Sequence, residues 1–502
     1  MKFDTKSIFI PRTGGCGVLK KDLELDGNLS EDLPDIARLI SVDAKIGKTS
    51  IKDENGKAEV VCGVVFGILY ESDYHSKASY TTAGTTFTQK TDVECGKEYY
   101  PDADVKCAFL SCKLLGPRRF VIRAGMATRL ECDTVGEFRT VDTDSSKVDS
   151  YFKSEKVPVT SPCRTYADER HFEGTANAAF PVSSVISVSA DVTACEYAAS
   201  DGRLSVKAPV RVKALCEGEN GEYFALSTEI KTLTTAEDAD IDENKIFRVS
   251  LDASSPSASV ESDDYGEQKI LRFSVDLLMS AVCYETVTEE IASDVFCADR
   301  GSECTAENVR IENIGTMREK RFDVEKTFDT EKSDITRIID TSVSFRVTDV
   351  AQSNGNASVK GVYTANLLTE SENGLNEMTF DGEFSETVPI SENENVSHVS
   401  VTASEAAASL FGGSVTVRAS AAIRFFPLSA YSIPAITSVT ASDTAERRDD
   451  GKIRFYYPSE DETSWDIAKE YRVDPKKLED NNKNAFGSDG KLNDGVYFVV
   501  ID

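Results

Sequence analysis

The sequence predicts a mainly β protein: three tandem antiparallel β-sandwich or open-barrel domains followed by a small βααβ module. A chain of 502 residues is too long for one hydrophobic core. From Val206 to Ala214 every second residue is aliphatic, which is the period of a half-buried antiparallel strand. Turn sequences such as Glu219-Asn220-Gly221 separate such runs at hairpin spacing.

Three stretches of the chain share one order of landmarks. Each has an aliphatic pair, then a β-rich run, and later a strand of small, β-branched and basic residues. The pairs end at Ile40, Ile186 and Ile339, the runs are centred on Gly63, Ala208 and Gly361, and the later strands begin at Phe120, Leu271 and Val415. The landmarks recur roughly every 150 residues, which is a domain length and too long for a solenoid repeat.

These landmarks divide the chain into four predicted domains: 1–140, 141–302, 303–445 and 446–502. We predict linkers in the polar segments near 141–150 and 303–320, and in the run from Thr444 to Asp450. A short helix is expected around Glu405 to Ala408.

The twelve cysteines have irregular spacing and contain no Cys-x-x-Cys. We predict that most are reduced core residues, because a free cysteine behaves as a small hydrophobe; a metal or redox role is the alternative. Cys107 and Cys112 are five residues apart in a strand-like run, so alternation predicts that they point to opposite faces.

The formal net charge of -30 limits the possible partners. Such a surface repels phosphate backbones and anionic lipids, so we expect neither nucleic acid binding nor membrane insertion. It favours a basic protein surface, or serves solubility alone. The sequence has no apolar run of signal-peptide or transmembrane length, so we expect a cytoplasmic protein.

The last fifty residues differ in character from the rest. We predict a strand from Ile453 to Tyr457 and a closing strand from Gly495 to Ile501. Between them, Thr463 or Ser464 is placed to cap one helix, and Asp474-Pro475 begins a second with an N-cap and a proline at the first helical position. The residues expected to form the small core are Trp465, Ile467, Tyr471 and Leu478. We expect a separate lobe around Trp465, the only tryptophan of the chain.

The stretch from Asp461 to Val473 resembles the first turn and helix of the LysM family. The family has Gly-Asp-Thr there, then an aliphatic and an aromatic residue, Ile-Ala and Tyr-x-Val. This sequence departs from the pattern at Asp461, where glycine is usual, and at Ser464, where an aliphatic residue is usual.

The resemblance implies a shallow groove that holds N-acetyl sugars in the family. Carried over to this sequence, the groove residues are Asp461, Glu462, Thr463, Ser464, Asn482, Lys483 and Asn484. A side chain at Asp461 obstructs the approach of a ligand to the backbone, and the module is acidic overall. Both features favour a protein ligand; a glycan ligand and a purely structural end-piece are the alternatives.

The upstream repeats are similar to the SPOCS-type domain of endospore-forming bacteria, through the Val359-to-Val362 strand and the Val417-to-Ala419 strand. Tandem SPOCS-type domains before a LysM domain resemble the SipL class of spore-coat morphogenetic proteins. That resemblance implies an adaptor in the mother-cell cytoplasm, later at the forespore surface and spore coat. Its partner is then the coat-basement ATPase of the SpoIVA type or another coat protein, and the alternative is a peptidoglycan-binding protein.

The motifs of the sequence predict no enzyme, no cofactor and no bound metal. Gly47-Lys48-Thr49-Ser50 ends like a phosphate-binding loop, but Val42 stands where that loop needs glycine. The acidic run from Asp238 lacks the glycine and the final acid of a calcium loop. The histidines are His75, His171 and His398, far apart in sequence. Carboxylate pairs are numerous among the 86 acidic residues, so a hydrolase with such a pair stays a third hypothesis.

Overall fold

The computed structural model describes residues 2–501, except 16–17, 55–56, 75–76, 95–97, 145–148, 331–333, 354, 446–453, 460–461, 488–489 and 494–498. This part of the chain is mainly β, as the sequence predicts. Its strands form several antiparallel sheets, and two short helices lie near the C-terminus.

The first seven strands form two antiparallel sheets. They are β1 (Thr5–Gly15), β2 (Leu19–Asn28), β3 (Ile36–Glu54), β4 (Lys57–Ser72), β5 (Ala78–Glu94), β6 (Tyr99–Gly116) and β7 (Arg119–Val141). In one sheet β4 lies between β3 and β5; in the other β7 pairs with β6, β1 and β2. Residues of both sheets, such as Phe66 and Phe120, bury one shared core.

The next seven strands form a similar pair of sheets. They are β8 (Ser150–Asn177), β9 (Val182–Val192), β10 (Glu196–Ser200), β11 (Arg203–Gly218), β12 (Tyr223–Glu237), β13 (Ile246–Glu261) and β14 (Ile270–Cys297). In this pair β8 takes the place of β1 and β2, and β9 and β10 take the place of β3. Here β11 pairs with β9, β10 and β12, and β14 pairs with β13 and β8. The predicted alternation holds in β11, where Val206, Val210 and Val212 are fully buried.

A third group follows with the same pairing as the first group. It comprises β15 (Arg300–Ile314), β16 (Arg318–Asp329), β17 (Ile335–Ser353), β18 (Asn356–Ser371), β19 (Gly374–Pro389), β20 (Glu394–Phe411) and β21 (Ser414–Ala445). β18 lies between β17 and β19, and β21 pairs with β20, β15 and β16. The landmarks of the sequence fall on corresponding strands: the aliphatic pairs on β3, β9 and β17, and the β-rich runs on β4, β11 and β18.

The last strand of each group extends beyond its sheet as a two-stranded ribbon. The ribbons are β1 with β7, β8 with β14, and β15 with β21. Their aliphatic side chains share one core, which includes Ile8, Val159, Ile291, Ile311 and Ile433. The three groups therefore meet along their ribbons.

Three expectations from the sequence are wrong. Glu405 to Ala408 lies in β20, where pairing with β21 overrides the helix preference of the alanines. Most of the predicted linker 303–320 is β15 and the start of β16; it is polar because one face of a ribbon is exposed. Cys107 and Cys112 pack against the same core, because a bulge between Cys107 and Phe109 shifts the alternation. Of the predicted linker from Thr444 to Asp450, residues 446–450 lie outside the described residues.

Candidate functional site

The C-terminal module has the predicted order of elements. These are β22 (Arg454–Tyr456), α1 (Ser464–Tyr471), α2 (Pro475–Asn481) and β23 (Val499–Ile501), and β22 pairs with β23. Thr463 caps α1 in a capping box with Asp466, and Asp474 caps α2 before Pro475. Ile453 and Gly495, where strands were expected to begin, lie outside the described residues.

The predicted core residues of the module lie together in one cluster, but this cluster also includes a buried residue from outside the module. Ile467, Leu478 and Val499 are buried with Trp465, and Tyr471 packs against them. Phe296 of β14 belongs to the same cluster, with its ring centroid 5.1 Å from that of Trp465. The expectation of a separate lobe around the indole is therefore wrong: the indole is shared with the second strand group.

Two polar interactions stabilise the packing of Trp465 against β14. We call the region formed by Asp294, Phe296, Trp465 and Lys469 the module junction. The indole Nε1–H of Trp465 donates to Asp294 Oδ2 at 2.8 Å. Lys469 Nζ lies 2.7 Å from both carboxylate oxygens of Asp294. Burial opposes the charge of Asp294, but the bonds from Lys469 and Trp465 outweigh it and lower the pKa of that carboxyl.

Most of the predicted groove residues use their polar groups for hydrogen bonds within the module. Glu462 accepts a bond from the Tyr456 hydroxyl at 2.8 Å. Thr463 Oγ1 lies 2.7 Å from Asp466 Oδ2, and Ser464 Oγ donates to Glu479 Oε1 at 2.6 Å.

On the other side of the predicted groove, the Asn482 side chain is also hydrogen-bonded within the module. Its side-chain amide donates to the Val500 carbonyl, and its carbonyl oxygen accepts from the Val500 N–H, so it holds β23 in place. Lys483 and Asn484 have exposed side chains. Asp461 lies outside the described residues.

Sequence reasoning did not find a buried ion cluster, which is formed by Asp102, Asp133, Arg248, Tyr284 and His398. Asp102 and Asp133 come from β6 and β7, Arg248 and Tyr284 from β13 and β14, and His398 from β20. All three strand groups thus contribute. Asp102, Arg248 and His398 precede the third landmark of their repeats, and Asp133 and Tyr284 follow it. The residue types differ from one repeat to the next, so no shared motif marks them in the sequence.

The cluster is closely paired. His398 Nε2 lies 3.0 Å from Asp133 Oδ2, and His398 Nδ1 lies 3.3 Å from Asp102 Oδ2. Arg248 Nη1 lies 3.2 Å from the same Asp102 oxygen, and Arg248 Nε donates to the Tyr284 hydroxyl at 3.1 Å. The Tyr284 hydroxyl in turn donates to Asp133.

Electrostatics keep the cluster charged. Burial opposes protonation of His398, but the negative charge of Asp133 and hydrogen bonds to Asp102 and Asp133 outweigh it and raise its pKa to about 9. Burial also disfavours the carboxylates, yet Arg248 and His398 hold the pKa of Asp102 well below its usual range. The His398 side chain is 1% exposed, so the imidazole joins the groups of strands and is closed to a ligand.

A second pair of carboxylates lies where β3 meets β19. Burial, and then the nearby charge of Asp43, raise the pKa of Glu377 to about 7. Burial also raises the pKa of Asp43, whose Oδ1 is buried without a hydrogen-bond partner among the described residues. Raised carboxyl pKa values are a property of general acids, but no substrate position is defined beside this pair.

A cleft of about 970 Å³ lies between the second and third strand groups. It is lined by basic residues, among them Arg211 and Arg418, and by acidic residues, among them Asp191 and Glu325. Arg418 is bonded to Glu325 at 2.9 Å. The mixture of charges selects no single class of ionic ligand.

Comparison with known proteins identifies no relative: no family model, no curated protein and no solved structure matches this chain. In the described part of the chain, no three or more His, Cys, Asp or Glu side chains are grouped so as to hold a metal ion. No described helix has both the length and the apolar character needed to cross a membrane.

Proposed function

We propose that this chain is a non-enzymatic adaptor of spore-coat assembly, of the SipL-like class that its sequence resembles. In this proposal residues 1–140, 141–302 and 303–445 are tandem SPOCS-like β domains, and 446–502 is a LysM-like module. The adaptor works in the mother-cell cytoplasm and then at the forespore surface. Its module binds a SpoIVA-type ATPase or another coat protein.

The order of strand pairing carries this proposal. The same two-sheet arrangement occurs three times along the chain, and the order then changes to strand, helix, helix, strand. This succession agrees with repeated domains before a LysM module. A rigid arrangement of β units suits a scaffold, because its binding surface is ordered before the partner arrives.

The chemistry of the groove favours a protein ligand over a glycan. The side chains of Ser464 and Asn482 are bonded within the module, and the Ser464 N–H donates to the Gly490 carbonyl. Few free polar groups are therefore left for a sugar. The exposed Lys483 and Asn484 suit the rim of a protein interface, where charge directs association.

The test uses the full chain and a purified SpoIVA-type ATPase. We expect Lys483→Glu to weaken binding about fivefold or more, which is the loss of about 1 kcal/mol that marks an important interface residue. Lys476→Glu makes the same change of charge on the exposed surface of α2 and should leave the dissociation constant unchanged. Equal binding by the wild type and both variants would contradict docking through this groove.

A second assay tests the alternative, a peptidoglycan-binding protein. Retention of the chain on insoluble peptidoglycan at physiological salt, reduced by Lys483→Glu and unaffected by Lys476→Glu, would favour the glycan ligand. Absence of retention together with ATPase binding would support the adaptor.

A further inference from the structure

Two cysteines that are 120 residues apart in sequence meet at a bulge between β8 and β14. Pro162 is opposite Tyr284 and Arg164 is opposite Cys283, so the intervening Cys163 is the extra residue of β8. The bulge leaves Cys163 exposed, whereas Cys283 is buried. Cys163 Sγ lies 3.4 Å from the carbonyl oxygen of Cys283.

The surroundings give the two thiols different properties. A hydrogen bond from the Cys283 thiol, opposed by partial burial and assisted by the charge of Lys245, lowers the pKa of Cys163 to about 7. The same hydrogen bond and burial raise the pKa of Cys283 well above its usual value. Of the two thiols, Cys163 therefore loses its proton more readily.

Lys245 is held beside the pair. Its side chain is 12% exposed, and its Nζ lies 3.6 Å from Glu285 Oε1. An exposed thiol with a lowered pKa, near a cation and beside a second cysteine on the paired strand, is the arrangement of redox-sensitive cysteines.

We propose that Cys163 and Cys283 form a redox site that a hydroperoxide oxidises to an intramolecular disulfide. The Cys163 thiolate attacks one peroxide oxygen, the O–O bond breaks, and hydrogen peroxide yields Cys163 sulfenic acid and hydroxide, which takes up a proton to become water. The Cys283 sulfur then attacks the sulfenic sulfur, the S–O bond breaks, and a second water leaves. Two thiols lose two electrons and two protons, and one peroxide is reduced to two waters.

Cys304 of β15 provides the internal comparison. It is the other exposed cysteine among the described residues, and no contact there joins it to a second thiol. The sequence assigned most cysteines to the core, and their spacing did not mark Cys163 and Cys283 as neighbours. Pro162 indicates an irregularity in the strand, but it does not identify the cysteine on the opposite strand.

The test treats the full chain with one equivalent of hydrogen peroxide, alkylates the remaining thiols and maps the peptides by mass spectrometry. We expect a peptide pair linked between Cys163 and Cys283, lighter by the about 2 Da of two hydrogens and lost on reduction. Cys304 should remain alkylated. Oxidation of Cys304 to the same extent as Cys163, with no Cys163–Cys283 link, would overturn the proposal.

Three variants separate the steps. Cys163→Ser changes an exposed position and should abolish the link while Cys283 stays alkylated. Cys283→Ala should stop the reaction at Cys163 sulfenic acid, which dimedone captures, whereas Cys304→Ser should leave the link unchanged. Failure of dimedone to label Cys163 more than Cys304 in the Cys283→Ala variant would also overturn the assignment.

Discussion

The buried ion cluster and the module junction both join parts of the chain that are distant in sequence, but they differ in burial. In the cluster, His398, Arg248 and Asp133 are almost fully removed from solvent, and each is bonded to the others or to Asp102 and Tyr284. In the module junction, one aromatic ring and one carboxylate, Asp294, connect the module to β14, and Lys469 remains 44% exposed.

This difference predicts two kinds of stability. A buried network of charges loses much when a single partner is removed, because the remaining charge is left without compensation. A half-exposed contact loses little, because water replaces the missing partner. The three strand groups should therefore separate only on unfolding, whereas the module should detach from β14 more easily.

The largest effect is expected at His398. Replacing it by alanine leaves Asp133 buried beside fewer positive charges, so we expect a loss of about 3–5 kcal/mol in the free energy of unfolding, measured by urea denaturation. His171 also pairs with an aspartate, Asp276, but on an exposed surface, and His171→Ala should hardly move the transition. Equal shifts in the two variants would contradict the view that the cluster holds the groups together.

The second prediction concerns pH. The pKa of His398 is about 9 in the folded chain and about 6.5 when unfolded, so the folded state binds the proton more tightly. This contribution is complete below pH 6.5 and is lost as the pH rises through 9. Between pH 7.5 and 10 we expect a loss on the order of 2 kcal/mol, measured by urea denaturation at each pH.

A matched variant identifies the titrating group. His398→Gln cannot bind the proton, so its stability should fall less over the same pH interval, although it starts lower. At the acidic end Asp102 and Asp133 have lowered pKa values, so their stabilisation is present above about pH 4 and is lost as the pH falls. An unchanged alkaline slope in His398→Gln would assign the titration to another group.

The buried ion cluster and the module junction also show what a sequence can and cannot predict. The caps at Thr463 and Asp474 and the alternation in β11 depend on residues a few positions apart, and the sequence predicted them correctly. The meeting of Asp102, Arg248 and His398 depends on how three strand groups pack, which no local pattern records. For the same reason Trp465 was placed in the module's own core, since the sequence could not show that Phe296 and Asp294 would come to meet it.

The smallest effect is expected at the module junction. Asp294→Ala removes the acceptor of the Trp465 Nε1–H and the partner of Lys469; because this carboxylate is partly exposed, we expect a cost of about 1 kcal/mol, confined to the docking of the module. Trp465 is the only tryptophan, so its fluorescence reports on this junction alone, and its emission should shift to longer wavelength. Asp276→Ala removes an aspartate from the same strand, β14, away from the junction, and should leave the emission unchanged. A red shift in both variants would mean that the emission responds to a general loosening of β14. A red shift in Asp294→Ala alone, with an unaltered urea transition for the rest of the chain, would show that the module detaches independently of the cluster.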